Sequence, residues 1–191
     1  NPKPDISQIT SAVLFEQTLT CDPLAQFIPV SFNDPLYILY SSGTTGAPKC
    51  IVHSVGGTLM KHICELRLHS NVKSGDNVFY FTTCGWMMWN WLVSALLCRA
   101  TVIAYEGNPF YPEPERLWQI AESEKFTLFG TSAKYIDAVR KAGLIPCEKF
   151  DLSELRTLCS TGSPLSAEGF QFVYEAIPVS YTHLTLPTKE G

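Results

Sequence analysis

Short apolar runs alternate with longer amphipathic segments along most of the chain. The β-prone runs lie at 36–40, 50–53, 78–82, 101–105, 127–130 and 155–159, and helical spacing appears at 58–69, 87–98, 113–123, 133–142 and 166–176. Strands and helices that alternate at these lengths form parallel β-α-β units. The pattern therefore predicts an α/β fold, a parallel sheet with helices on both faces.

The first two apolar runs depart from that alternation. A loop rich in Gly, Ser and Thr joins them directly, which predicts a β-hairpin. Gly56 and Gly57 follow the hairpin and indicate a break before the first helix. We expect a weakly patterned lead-in over 1–33, a β-α-β region over 34–177, and a non-native or disordered tail over 178–191, where the pattern stops mid-element.

Composition excludes several classes of protein. The 191 residues are 46% apolar and 12% aromatic, too apolar for a disordered chain. A net charge of −4 argues against nucleic acid or an anionic membrane as partner. Residues 77–98 carry no charge, but Thr82, Gly85 and Asn90 interrupt them, so they predict a strand, a loop and a buried helix, not a membrane span.

The seven cysteines show no C-x-x-C spacing, and the sequence contains no Asn-x-Ser/Thr glycosylation site. These features favour free thiols in a reducing, cytosolic compartment and give no support to a metal centre.

Ligands of parallel α/β sheets bind beyond the carboxyl ends of strands, where 82–85, 130–132 and 160–163 are expected to lie.

The hairpin loop carries the clearest chemistry. It contains Ser41, Ser42, Gly43, Thr44, Thr45 and Gly46, and it ends in Lys49. Glycines let backbone N–H groups approach a polyphosphate, hydroxyls donate short hydrogen bonds, and a lysine adds positive charge. The order differs from a Walker A loop, because Lys49 lies three residues past Gly46 and a strand follows. On composition alone, an ordinary polar surface loop fits equally well.

The string Tyr-Ser-Ser-Gly-Thr-Thr-Gly-Ala-Pro-Lys at 40–49 resembles the phosphate-loop signature of the adenylate-forming superfamily. The segments at 83–91, 130–135 and 158–165 resemble its acetyl-CoA synthetase branch, and within that branch the acetoacetate-activating members. The resemblance covers about 27–177. It implies that the chain is part of the large N-terminal region of such an enzyme.

The resemblance implies a two-step ligase reaction on acetoacetate, MgATP and coenzyme A. Thr44, Thr45 and Lys49 match the positions that act on the β- and γ-phosphates, with Ser41, Ser42, Gly43 and Gly46 shaping the cradle. Gly85 and Trp86 match the acyl pocket, and Trp89 could share its wall. Gly162, Ser163 and Pro164 match the adenine-contacting turn, where Ser163 replaces the Glu of the commoner acetyl-CoA synthetase form.

Several assignments stay open at this point. For Trp89 and Trp91, plain core packing is the favoured alternative, and Lys134 could face substrate or solvent. His53 is expected to be a rim or core histidine. The nucleotide-contacting segment and small C-terminal domain of the family do not follow 177, so we expect the chain alone to be inactive.

Other functions compete with the acetoacetate-specific ligase. They are another short-chain acyl-CoA synthetase, a non-catalytic nucleotide-binding relic, and an amidase-like hydrolase with Ser41 or Ser42 as nucleophile. The hydrolase lacks a G-x-S-x-G elbow.

Overall fold

The computed structural model describes residues 5–19, 22, 26–40, 48–177, 179 and the backbone of 181–184. The chain divides into two compact units, Asn1–Ser31 and Phe32–Gly191. The first unit contains the short helix α1 (Phe15–Thr18). The second unit contains the strands and helices that position the candidate site.

The second unit begins with a hairpin and continues as alternating strands and helices. The elements are β1 (Pro35–Tyr40), β2 (Cys50–Ser54), α2 (Val55–Ile63) with a π-helical turn (Cys64–His69), β3 (Asn77–Tyr80), α3 (Met87–Val93) with a 3₁₀ turn (Ser94–Cys98), β4 (Thr101–Ile103), α4 (Arg116–Ser123), β5 (Leu128–Ser132), α5 (Ala133–Lys141), α6 (Pro146–Lys149), β6 (Thr157–Thr161), α7 (Ala167–Ala176) and β7 (Tyr181–Leu184).

The strands form two sheets. β1 and β2 pair antiparallel, as predicted for the hairpin. The other five strands are all parallel and lie in the order β4-β3-β5-β6-β7. The chain runs outward from β3 to β4 and then returns past β3 to β5. This reversal creates a topological switch point between β3 and β5.

Helices cover both faces of the parallel sheet, which confirms the predicted α/β fold. Phe79, Phe129 and Leu158 lie in one core with buried residues of α4, α5 and α7. Val78 and Leu128, which alternate with them along the strands, lie in a second core with residues of α3 and its 3₁₀ turn. Alternate strand residues point to opposite faces, so each strand contributes to both cores.

Helix α2 starts earlier than we predicted from the glycine pair. The Ser54 side chain caps α2 by accepting a hydrogen bond from the Gly57 N–H at 3.2 Å, so both glycines lie inside the helix. A Cβ on Gly56 would lie 2.1 Å from the Phe32 ring. Interpreting the pair as a break was therefore wrong, because Gly56 provides space for a distant aromatic side chain.

The non-native or disordered character of the tail over 178–191 stays a prediction, but residues 181–184 take part in the parallel sheet. These residues form β7, which pairs in parallel with β6 from Thr157↔Tyr181 to Ser160↔Leu184. The free edge of β6 offers unpaired backbone donors and acceptors, and an adjacent β-prone segment satisfies them. Residues 185–191 lie outside the described residues.

Close packing between β3 and β5 fixes the sheet at the switch point. Tyr80 and Gly130 are register partners, and the Tyr80 ring lies over Gly130. A Cβ on Gly130 would lie 2.0 Å from Cδ2 of that ring. The Tyr80 hydroxyl donates to the Thr131 carbonyl at 3.4 Å. Glycine at 130 is thus required by the neighbouring aromatic side chain.

We expect Gly130→Ala to destabilise the protein by about 1–3 kcal/mol, because the methyl group forces the Tyr80 ring out of a packed core. Gly85→Ala is the matched control, since no heavy atom lies within 4 Å of its Cβ position. Urea unfolding of the two variants measures the difference. Equal stabilities of the two variants would contradict the packing described here.

Candidate functional site

The hairpin brings the two ends of the predicted phosphate loop together. The last register pair is Tyr40↔Cys50, so the chain leaves β1 and enters β2 at adjacent points. Lys49 is exposed and immediately precedes β2. Ser41, Ser42, Gly43, Thr44, Thr45 and Gly46 lie outside the described residues. The structure therefore positions the frame of the loop and its lysine.

The three predicted segments lie at the carboxyl ends of neighbouring parallel strands, and residues 82–85 and 162–163 lie beyond β3 and β6 as expected. Residues 130–132 are instead the last three residues of β5, and residues 160–161 are the last two of β6. Because β3, β5 and β6 are consecutive in the sheet, these segments lie along one edge. The switch point between β3 and β5 opens at the same edge, where α/β proteins bind ligands. Gly162 has a φ of 89°, a conformation that favours glycine.

Gly85 and Trp86 form the turn that begins α3. Trp86 is the N-cap residue and is 68% exposed. Its carbonyl accepts the Trp89 N–H at 3.0 Å, and Trp89 is half-buried against the core on that face. Trp86 is thus accessible at this edge of the sheet, whereas Trp89 packs against the core.

Trp91 belongs to the core, as the favoured alternative for it predicted. It is buried and packs edge-on against Tyr80 with ring centroids 5.9 Å apart. Its indole N–H donates to Glu65 Oε2 at 3.2 Å. Trp86 therefore faces solvent at the start of α3, whereas Trp91 faces the core.

The remaining candidates divide between packing and solvent. His53 pairs with Tyr37 across the hairpin, with ring centroids 5.1 Å apart, as expected of a rim histidine. Lys134 lies in the first turn of α5 and is exposed. Ser163 is half-buried and Pro164 is exposed in the turn before Ser166, which caps α7 through the Gly169 N–H at 3.1 Å.

Sequence reasoning did not single out two residues at the switch point, although one of them, Thr131, lies within the predicted segment 130–132. Tyr80 and Thr131 are both buried where β3 and β5 end. Thr131 Oγ1 has no hydrogen-bond partner within the described part of the chain. A polar residue at the end of a buried strand is the signal that could have identified Thr131, whereas Tyr80 is recognised only from its contact with Gly130.

Two classes of site receive no support from the described residues. They contain no group of three His, Cys, Asp or Glu residues placed to hold a metal ion. None of the helices among them is long and apolar enough to cross a membrane.

An α/β sheet with a loop-bearing hairpin and an open switch point is the framework of an adenylate-forming protein. The family model for AMP-binding enzymes matches residues 5–184, and the chain belongs to that family. Within it, the chain is similar to acetoacetyl-CoA synthetases. It is 60% identical to the acetoacetyl-coenzyme A synthetase of Rhizobium meliloti (strain 1021) over 151 residues, which is 79% of this chain and 23% of that protein.

Two further relatives agree. The acetoacetyl-CoA synthetase of Gallus gallus is 46% identical over 181 residues, 92% of this chain and 27% of the relative. The solved acetoacetyl-CoA synthetase from Streptomyces lividans superimposes with a TM-score of 0.82 at 42% identity, covering 90% of this chain and 27% of that chain. The predicted resemblance is thereby confirmed, and the chain spans about a quarter of the length of these relatives.

Cysteine reactivity provides a test of the site's exposure. Cys84, beside the Gly85 turn, and Cys50, beside Lys49, are exposed, whereas burial raises the pKa of the Cys159 thiol to about 12. We expect iodoacetamide to modify Cys84 and Cys50 at least about tenfold faster than Cys159, because the thiolate is the reactive form. Peptide mass spectrometry of the native protein measures the rates, and unfolding in urea should equalise them. Comparable native rates would contradict the arrangement of this edge.

Proposed function

We propose that the protein containing this chain is an acid–thiol ligase that forms acetoacetyl-CoA from acetoacetate, ATP and coenzyme A. The observation that carries the proposal is the 60% identity to an acetoacetyl-coenzyme A synthetase over 79% of the chain. Mg²⁺ enters with ATP as part of the substrate.

The first step joins the acid to the nucleotide. A carboxylate oxygen of acetoacetate attacks the α-phosphorus of ATP, the bond from that phosphorus to the bridging oxygen breaks, and pyrophosphate leaves. Catalysis of this step depends on holding the phosphates in line and offsetting the charge that develops on the leaving group. Thr44, Thr45 and Lys49 are the residues that we assign to the β- and γ-phosphates.

The second step transfers the acyl group. The coenzyme A thiol, losing its proton, attacks the carbonyl carbon of the acyl-adenylate, and the carbon–oxygen bond to AMP breaks. We assign Gly85, Trp86 and Trp89 to the acyl pocket, since Trp86 is exposed at the sheet edge and Trp89 lies three residues further along α3. Gly162, Ser163 and Pro164 are assigned to the adenine.

The surroundings of the site fit a cytosolic enzyme of small molecules. The six cysteines of the described residues are all free thiols, which suits a reducing compartment.

We expect Lys49→Ala to lower acetoacetate-dependent release of AMP and pyrophosphate about 10²–10³-fold in the full-length protein that contains this chain. The variant lacks the positive charge of the lysine that offsets the negative charge developing on the pyrophosphate. Lys73→Ala is the matched control, since Lys73 is also an exposed lysine outside helices and strands. Coupled assays of both products measure the effect. A Lys49→Ala protein as active as the control would contradict the assignment, and wild-type protein without acid-dependent pyrophosphate release would contradict the function.

Replacing Trp86 tests the acyl pocket separately from the phosphates. We expect Trp86→Ala to lower kcat/KM for acetoacetate about 10–100-fold with the KM for ATP nearly unchanged, because the acid loses an apolar wall. Tyr174→Ala, which removes an exposed aromatic side chain from α7, is the control. Steady-state kinetics with each substrate varied gives the comparison. An equal loss of ATP affinity would place Trp86 outside the acid site.

A further inference from the structure

Two polar contacts join the segment after the hairpin to the segment that carries Trp86. His62 Nδ1 lies 2.7 Å from Ser94 Oγ, 32 positions along the chain. Trp91 Nε1 donates to Glu65 Oε2 at 3.2 Å. We call these four residues the α2–α3 clasp. His62 and Glu65 lie on α2 and its π-helical turn, and Trp91 and Ser94 lie on α3 and its 3₁₀ turn.

The direction of the His62 hydrogen bond follows from the partners of Ser94. The Ser94 hydroxyl donates to the Asn90 carbonyl at 2.8 Å, so its oxygen accepts the proton carried by His62 Nδ1. His62 is 2% exposed, and burial lowers its pKa, with Lys61 and His53 acting in the same direction and Glu65 opposing them. The ring is therefore neutral at pH 7, with its proton on Nδ1.

The clasp lies between the two parts of the proposed site. Ser54, the last residue of β2, caps α2 directly, so α2 is a rigid extension of the strand that Lys49 precedes. On the other side, α3 begins at Trp86 and reaches Ser94 at its end. No linker intervenes on either side, so a shift of α3 against α2 moves Trp86 relative to Lys49.

We propose that His62 and Ser94 are positioning residues that hold the acyl-pocket helix at a fixed place relative to the phosphate-loop hairpin. The inference rests on the proposed function, because it assigns the pocket to α3 and the phosphates to the hairpin. Neither residue contacts substrate. They act through the placement of Trp86 and Trp89, and misplacing a reacting group by about 1 Å costs an enzyme about 100-fold in rate.

Directionality explains why this packing contact uses a buried histidine. Apolar contacts between helices tolerate sliding, whereas a hydrogen bond at 2.7 Å from a neutral ring fixes the separation of the two segments at that point. The second bond, from Trp91 to Glu65, lies one helical turn away on the same pair of segments and prevents rotation about the first. The π-helical turn that begins at Cys64 contains Glu65 and so sets the register of the second bond.

Acid selectivity in the full-length protein tests the proposal. The measured quantity is kcat/KM for acetoacetate divided by kcat/KM for butyrate, an acid of the same length without the keto oxygen. This ratio does not depend on how much of the enzyme is folded. We expect His62→Leu to lower it about tenfold, and His62→Asn to restore it, because the Asn amide can donate from the position of Nδ1. Val139→Ala is the control for loss of stability, because it opens a cavity in the core on the other face of the sheet.

A second measurement follows the clasp without catalysis. Hydrogen–deuterium exchange of the α3 backbone amides should be faster in His62→Leu than in His62→Asn or Val139→Ala, because the clasp holds α3 in place. Wild-type protein without acid-dependent pyrophosphate release would contradict the proposed function alone. The exchange result would then decide the clasp: faster exchange confined to His62→Leu supports it, and equal exchange overturns it. With an active wild type, an unchanged selectivity ratio in His62→Leu overturns the proposal.

Discussion

The contact between Tyr80 and Gly130 holds together the two strands on which the site depends. β3 and β5 are the strands between which the chain reverses direction, and the ring of one occupies the space that a side chain on the other would need. Parallel strands gain their register from packing as much as from backbone bonds. Because the crevice opens where these strands end, a shift between them would displace the segments that follow both.

The two cores divide the work of positioning the site. On one face, the core packed by α3 and its 3₁₀ turn includes Trp91 of the α2–α3 clasp, which joins the segment after the hairpin to α3. On the opposite face, α4, α5 and α7 pack against β3, β5 and β6 and so fix the positions of Gly162 and the start of α5 at the ends of these strands. Each strand contributes alternate residues to both cores, so neither half of the site moves without strain in the sheet.

Periodicity was sufficient to predict the parallel sheet, the hairpin and the burial of Trp91, because each depends on spacing within a short segment. It failed at Gly56, where the need for glycine comes from Phe32, and it marked no strand at residues 181–184, which pair with β6. The contact between His62 and Ser94 joins residues 32 positions apart, and no local pattern marks such a pair. Short-range order is thus readable in the sequence, whereas contacts between elements are not.

Among the described residues, the hairpin is held by more contacts at its base than at the end that carries the loop. At its base, the Val55 N–H donates to the Asp34 carbonyl and the Gly56 N–H donates to the Phe32 carbonyl, both at 2.9 Å. Towards the loop, Ile38, Tyr40 and Val52 are 52%, 69% and 59% exposed. A two-stranded ribbon has little stability of its own, and local stability falls where few side chains are buried. The base therefore fixes the direction of the hairpin, while local stability falls towards the end next to Lys49.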